Sequence, residues 1–200
     1  MPDLLKNERG FTLVEIMIAL LMASLVMAAI YTTTNKQQDV YVDQDQVVAM
    51  QDNLRAAMLM MTSEIKMAGY DPLGLANAGF TVAKANTMTF TMDLNGDGDV
   101  NDPSEKITYD LYTSGTQRLG RKNPTTNMPV ADNISNLEFY YTLANGNQTL
   151  TPTNPADIRA VQITVLAITA VSTNNNFGKT SFTTPSGATW TLTSGFRGRM

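Results

Sequence analysis

The chain has 200 residues and a formal net charge of −4, with neither cysteine nor histidine. Those two gaps exclude Ser-His-Asp and Cys-His catalysis, disulfide bracing, and every zinc site built on His or Cys. The acidic balance, with no run of Lys or Arg among aromatics, argues against a general nucleic-acid-binding surface.

Residues 1–10 read as a charged leader, to be removed, in which Asp3 and Glu8 balance Lys6 and Arg9. From 11 to 31 the chain runs FTLVEIMIALLMASLVMAAIY, with Glu15 its only charge. As an α-helix that run is about 31 Å long, enough to span a hydrocarbon core. An ionised, unpaired Glu in that layer costs on the order of 3 kcal/mol, so the charge is expected to have a use. Lys6 and Arg9 precede the span and the nearest downstream base is Lys36. That bias puts the N-terminus in the cytoplasm and the rest of a single-pass chain outside. A secretory signal peptide fits worse, because its cleavage site follows the apolar region.

Gly10-Phe11-Thr12-Leu13-Val14-Glu15 resembles the prepilin cleavage and methylation motif of type IV pilins and type II secretion pseudopilins. The resemblance implies a prepilin peptidase that cuts between Gly10 and Phe11 and methylates the new Phe11 amine. It also implies that Glu15 pairs with the Phe11 amine of a neighbouring subunit when the helices bundle into a filament. The partners would be that peptidase, other pilins or minor pilins, and the bacterial inner membrane. Final residence would be a surface pilus or a periplasmic pseudopilus.

The helical pattern continues past Ile30. Val47, Met50, Leu54, Met58, Met61 and Ile65 recur at spacings of three and four and form one stripe. Asp43, Asp45, Asp52, Arg55, Glu64 and Lys66 fall mostly away from it. No proline lies between Phe11 and Tyr70, so one helix is expected from about 11 to 66, ending near Gly69 with Pro72 beyond. Its 11–31 half is the transmembrane or filament-core part, and its outer half, within 32–69, packs on the globular region. Thr32-Thr33-Thr34-Asn35 is the expected soft point. The Met-rich stretch Met50, Met58, Met60, Met61 and Met67 suggests either a copper box or core packing. Core packing is preferred, because Met50, Met58 and Met61 lie on the stripe. Residues 53–70, with a Leu-Arg start and an Ala-Gly-Tyr finish, resemble the helix end of PilW-type minor pilins and J-type pseudopilins.

After Gly69 the period changes to two. Strands are expected over 87–92, 106–112, 137–143, 160–168 and 188–192, with loops over 145–157 and 172–187. The fold class is therefore α+β and pilin-like: a long N-terminal helix on an antiparallel β-sheet domain spanning 70–200. Arg197 and Arg199 are expected to fray into solvent.

Between two of those strands, Asp93-Leu-Asn95-Gly-Asp97-Gly98-Asp99 resembles the calcium loop of EF-hand and dockerin modules. Asp93, Asn95 and Asp97 fill its first, third and fifth positions and Gly98 its sixth. The twelfth position is Ser104, and Glu105 comes one residue late. Strands flank the loop where an EF-hand has helices, so a calcium-binding hairpin loop is expected, with Asp93, Asn95, Asp97, Asp99 and Glu105 as ligands. The competing reading is a solvated Asn-Gly, Asp-Gly turn. It leaves five acids in 13 residues without neutralisation.

No pair of acids outside the span sits in an apolar setting, so an enzyme is not expected. The resemblance implies a structural role: a minor pilin that primes or caps a type IV pilus. A J-type pseudopilin of a type II secretion system is the nearest rival, since it shares the N-terminal motif and the helix ending. A membrane-tethered calcium-binding or adhesive domain that never polymerises is the reading from another class.

Overall fold

The computed structural model describes residues 10–170, 179–193 and 195–200. Leader residues 1–9, and 172–178 of the loop expected at 172–187, lie outside the described residues. The chain divides into two compact units, 1–44 and 45–200.

Helix α1 runs Leu13–Ile65, 53 residues without interruption. In the first unit, every described residue up to Val42 is exposed. An 18-residue window of α1 has mean hydropathy 2.5, and none of it is buried. Large apolar side chains left open along such a length need lipid or other helices around them. The threonine run expected to soften the helix is helical throughout. Thr33 Oγ1 donates to the Ala29 carbonyl at 2.9 Å, and Thr34 Oγ1 to the Ile30 carbonyl at 2.9 Å. The hydroxyls thus fold back onto the helix's own carbonyls, which accommodates them in an apolar layer.

Among the described residues, the second unit contains the rest of α1 and eleven strands. These are β1 Phe80–Ala83, β2 Thr87–Thr91, β3 Lys106–Ser114, β4 Thr116–Lys122, β5 Asn127–Asp132 and β6 Ile134–Leu143. They continue with β7 Gln148–Thr149, β8 Ile158–Ile168, β9 Ser181–Thr183, β10 Thr189–Thr191 and β11 Gly198–Arg199. Strands β1 to β5 make an antiparallel meander in chain order, and β11-β8-β6-β7 make a second antiparallel sheet. Strands β9 and β10 pair separately.

One core joins α1 to both larger sheets. Met50, Ala57 and Met61 of α1 lie in it with Phe90, Ile107, Tyr109, Leu119, Phe139, Tyr141 and Val165, while Val47, Leu54, Met58 and Ile65 pack at its edge. The predicted methionine stripe is therefore core. Phe90 and Tyr109 stack with ring centroids 6.4 Å apart, beneath the edge-on Phe80 at 6.2 Å from Phe90. Burial pushes the phenols of Tyr109 and Tyr141 well above their usual range, and Tyr141 donates to the Lys84 carbonyl at 3.0 Å. After α1 the chain turns at Gly69, whose φ of +80° is left-handed and whose N–H donates to the Thr91 carbonyl.

Two expectations are corrected. The C-terminus does not fray: β11 pairs with β8, matching Gly198 to Ile168 and Arg199 to Ala167. Thr169 N–H also donates to the Arg197 carbonyl, which extends the main-chain ladder that holds the tail along β8. The segment read as loop up to 187 contains β9, and Phe182 within it is buried, close to Gly198 of β11. One apolar residue between Ser181 and Thr183 is too short a pattern to read as a strand.

Candidate functional site

Two regions carry chemistry, one in each unit. The first lies at the start of α1. Gly10 precedes the helix with no left-handed φ, and a Cβ there would meet nothing within 4 Å. The fold makes no demand for glycine at this position. Phe11 is 84 % exposed and presents its bond to Gly10 without cover.

Thr12 and Glu15 form a reciprocal cap. Glu15 N–H donates to Thr12 Oγ1 at 3.2 Å, and Thr12 N–H donates to Glu15 Oε2 at 2.9 Å. Thr12 Oγ1 also donates to Oε2 at 3.0 Å, and Glu15 Oε1 takes no bond among the described residues. This capping box satisfies two main-chain donors at a helix start, a gain of about 1 kcal/mol. The sequence reading missed it, although Thr-x-x-Glu ahead of an apolar run is its signature. Phe11, Glu15, Ala19 and Ala23 recur every four residues and line one shallow groove with Ile16 and Leu20. The carboxylate therefore sits at the foot of a row in which Ala19 and Ala23 occupy the next two turns, flanked by Ile16 and Leu20. Small residues at that spacing let a second helix approach closely in an apolar medium.

The second region is the loop between β2 and β3, whose ladder closes at Thr91 opposite Lys106. Oxygens of Asp97, Asp99 and Glu105 lie within 4.8 Å of one another. Asp93 and Asn95, expected as ligands beside them, make hydrogen bonds within the loop. Asp93 is fully buried and accepts from the N–H groups of Gly96 at 2.6 Å and Gly98 at 3.1 Å. Both glycines are left-handed, with φ of +74° and +86°, so the Asp93 carboxylate shapes the loop from within. Asn95 Nδ2 donates to Asp97 Oδ2 at 2.9 Å and Asp102 Oδ2 at 3.0 Å. The Asp99 N–H and the Asn95 amide together hold the Asp97 carboxyl below its usual range, so it is charged at neutral pH.

A third cluster, also missed, ties α1 to the meander. Glu64 accepts from Tyr109 Oη at 2.5 Å and from Arg121 Nε at 2.9 and 3.0 Å. Burial opposes the Arg121 charge, but the Glu64 bond and charge outweigh it and raise its pKa. Glu64 had been placed off the helix stripe, as it is. Its partner lies 57 residues away on a strand whose polar pattern gave no signal.

The description "prokaryotic N-terminal methylation motif" matches residues 5–31, the stretch that holds Gly10, Phe11, Glu15 and the exposed apolar run. No curated protein and no solved structure matches the chain significantly.

Proposed function

We propose that this chain, type IV pilin-like at its N-terminal motif and in its α+β fold, is a minor pilin that helps prime or cap a pilus. Processing by a prepilin peptidase and association with other pilins follow from the motif in general terms. The finer role rests on one observation: the ladder of Phe11, Glu15, Ala19 and Ala23 along an exposed apolar helix. After cleavage, the free amine of Phe11 on one subunit meets the Glu15 carboxylate of the next, through Oε1, while Oε2 keeps the cap. Two charges that each resist an apolar layer are then buried as a pair. Ala19 and Ala23 allow the helices to close above them. The second unit, with its polar outer strands, makes the contacts that choose neighbours. In this reading the leader faces the cytoplasm and the chain passes once through the inner membrane. The role is structural and needs no catalytic group.

The test is fractionation. Pili sheared from cells should contain the protein at a small fraction of the main subunit, and its deletion should reduce pilus number while leaving secreted enzymes unaffected. Absence from sheared pili, with secreted enzymes retained in the periplasm on deletion, would instead assign it to a secretion pseudopilus.

A further inference from the structure

We propose that the loop over residues 93–105 holds one calcium ion on carboxylate oxygens of Asp97, Asp99 and Glu105. The observation that separates this loop from an ordinary acidic turn is Glu105. The residue is only 1 % exposed. Its Oε1 accepts from Leu94 N–H at 2.8 Å, but its Oε2 is buried with no hydrogen-bond partner. A buried carboxylate oxygen without a donor keeps its full desolvation penalty, which folded proteins rarely leave uncompensated. No salt bridge reaches Asp97, Asp99 or Glu105 among the described residues, so no side-chain cation there neutralises the three carboxylates.

Geometry fits a cation. Calcium sits about 2.4 Å from each oxygen, so two ligands on one ion lie no more than about 4.8 Å apart. The oxygens of the three acids meet that limit. Asp97 and Asp99 are exposed, so water can complete the six to eight ligands of calcium's flexible shell, whereas magnesium demands six in near-ideal octahedral geometry. Asp93 is a loop-shaping residue in this arrangement: it holds Gly96 and Gly98 so that the next two acids turn back over Glu105. Binding would brace the loop that joins β2 to β3, just beyond the Thr91–Lys106 pair.

The full chain in detergent micelles, stripped with EDTA, is titrated with calcium chloride by calorimetry and followed by thermal unfolding. One ion per chain should bind, with Kd near the ~10⁻⁴–10⁻³ M typical of extracellular calcium modules, and the Tm should rise with calcium. The Asp97→Asn, Asp99→Asn double variant alters only exposed side chains. It should melt no lower than the parent in EDTA, and its Kd should weaken by at least about tenfold. Glu105→Gln keeps the acceptor for Leu94 and should also lose the calcium-dependent Tm rise. No heat and no Tm rise up to ~10 mM calcium would overturn the proposal. So would an equal response to magnesium chloride, or an unchanged isotherm in the double variant.

Discussion

A Glu15→Ala chain is expected to reach the membrane and be processed, yet to enter filaments about a hundredfold less often than the parent. The magnitude follows from the cost of an unmatched charge in an apolar layer, about 3 kcal/mol, at about 1.4 kcal/mol per factor of ten. Without Glu15, the amine of the neighbouring Phe11 has no counter-charge in the bundle. The capping box creates a confound, because Glu15→Ala also removes two hydrogen bonds at the helix start. Glu15→Gln resolves it. A glutamine at this position of the box still accepts from Thr12 N–H, so the cap survives and only the charge is lost. Both variants should fail to assemble to a similar extent when subunits in sheared filaments are counted by immunoblot. A Glu15→Gln chain that assembles like the parent would reduce Glu15 to a helix cap.

Glu64→Ala is expected to destabilise the second unit by about 2–4 kcal/mol. The substitution strands two groups at once. Arg121 has a side chain only 13 % exposed, and Tyr109 has a hydroxyl within the core that has just lost its acceptor. Glu64 itself is 22 % exposed, so water relieves part of the loss and the figure sits below that of a fully buried pair. Tyr109→Phe should cost about 1 kcal/mol, as one hydrogen bond. Arg121→Ala should cost less in the Glu64→Ala background than in the parent, because the pair has already been broken. Denaturant unfolding of the parent, the three single variants and the Glu64→Ala, Arg121→Ala double variant in detergent measures all of these. A loss below about 0.5 kcal/mol for Glu64→Ala would make the cluster an ordinary surface ion pair. The larger value would make it the clamp that fixes the end of α1 on the meander.

What the sequence made legible follows from where apolar residues are regular. The helix and its stripe from Val47 to Ile65 were readable, because a 3.6-residue period over many turns has few rivals. Strands β2, β3, β6 and β8 were readable because each alternates or runs with β-branched and aromatic residues. Strand β4, TQRLGRK, was not, since Leu119 is its only bulky apolar side chain and its place is fixed by the ladder to β3. Strand β5 carries Pro129, which an edge strand tolerates and which speaks against a strand in sequence. In the acidic loop the residue types pointed to a cation, but not which oxygens would face one another. Asp93 matches the first position of a calcium loop, yet two backbone N–H groups take its carboxylate. Glu105, the residue out of register, is the one with an oxygen left over. At the N-terminus, the carboxylate within the span could be read directly. Its cap with Thr12 could have been, and the pairing of Glu64 with Arg121 could not, because only the fold brings them together.

If this chain is a processed filament subunit, the mass of the intact protein reveals it. Mass spectra are taken of the protein purified from cells with and without a prepilin peptidase. With the peptidase, the chain should lose Met1–Gly10 and gain one methyl group on Phe11; without it, the full sequence should remain. An unprocessed chain from both strains would contradict the account and leave a signal-anchored domain.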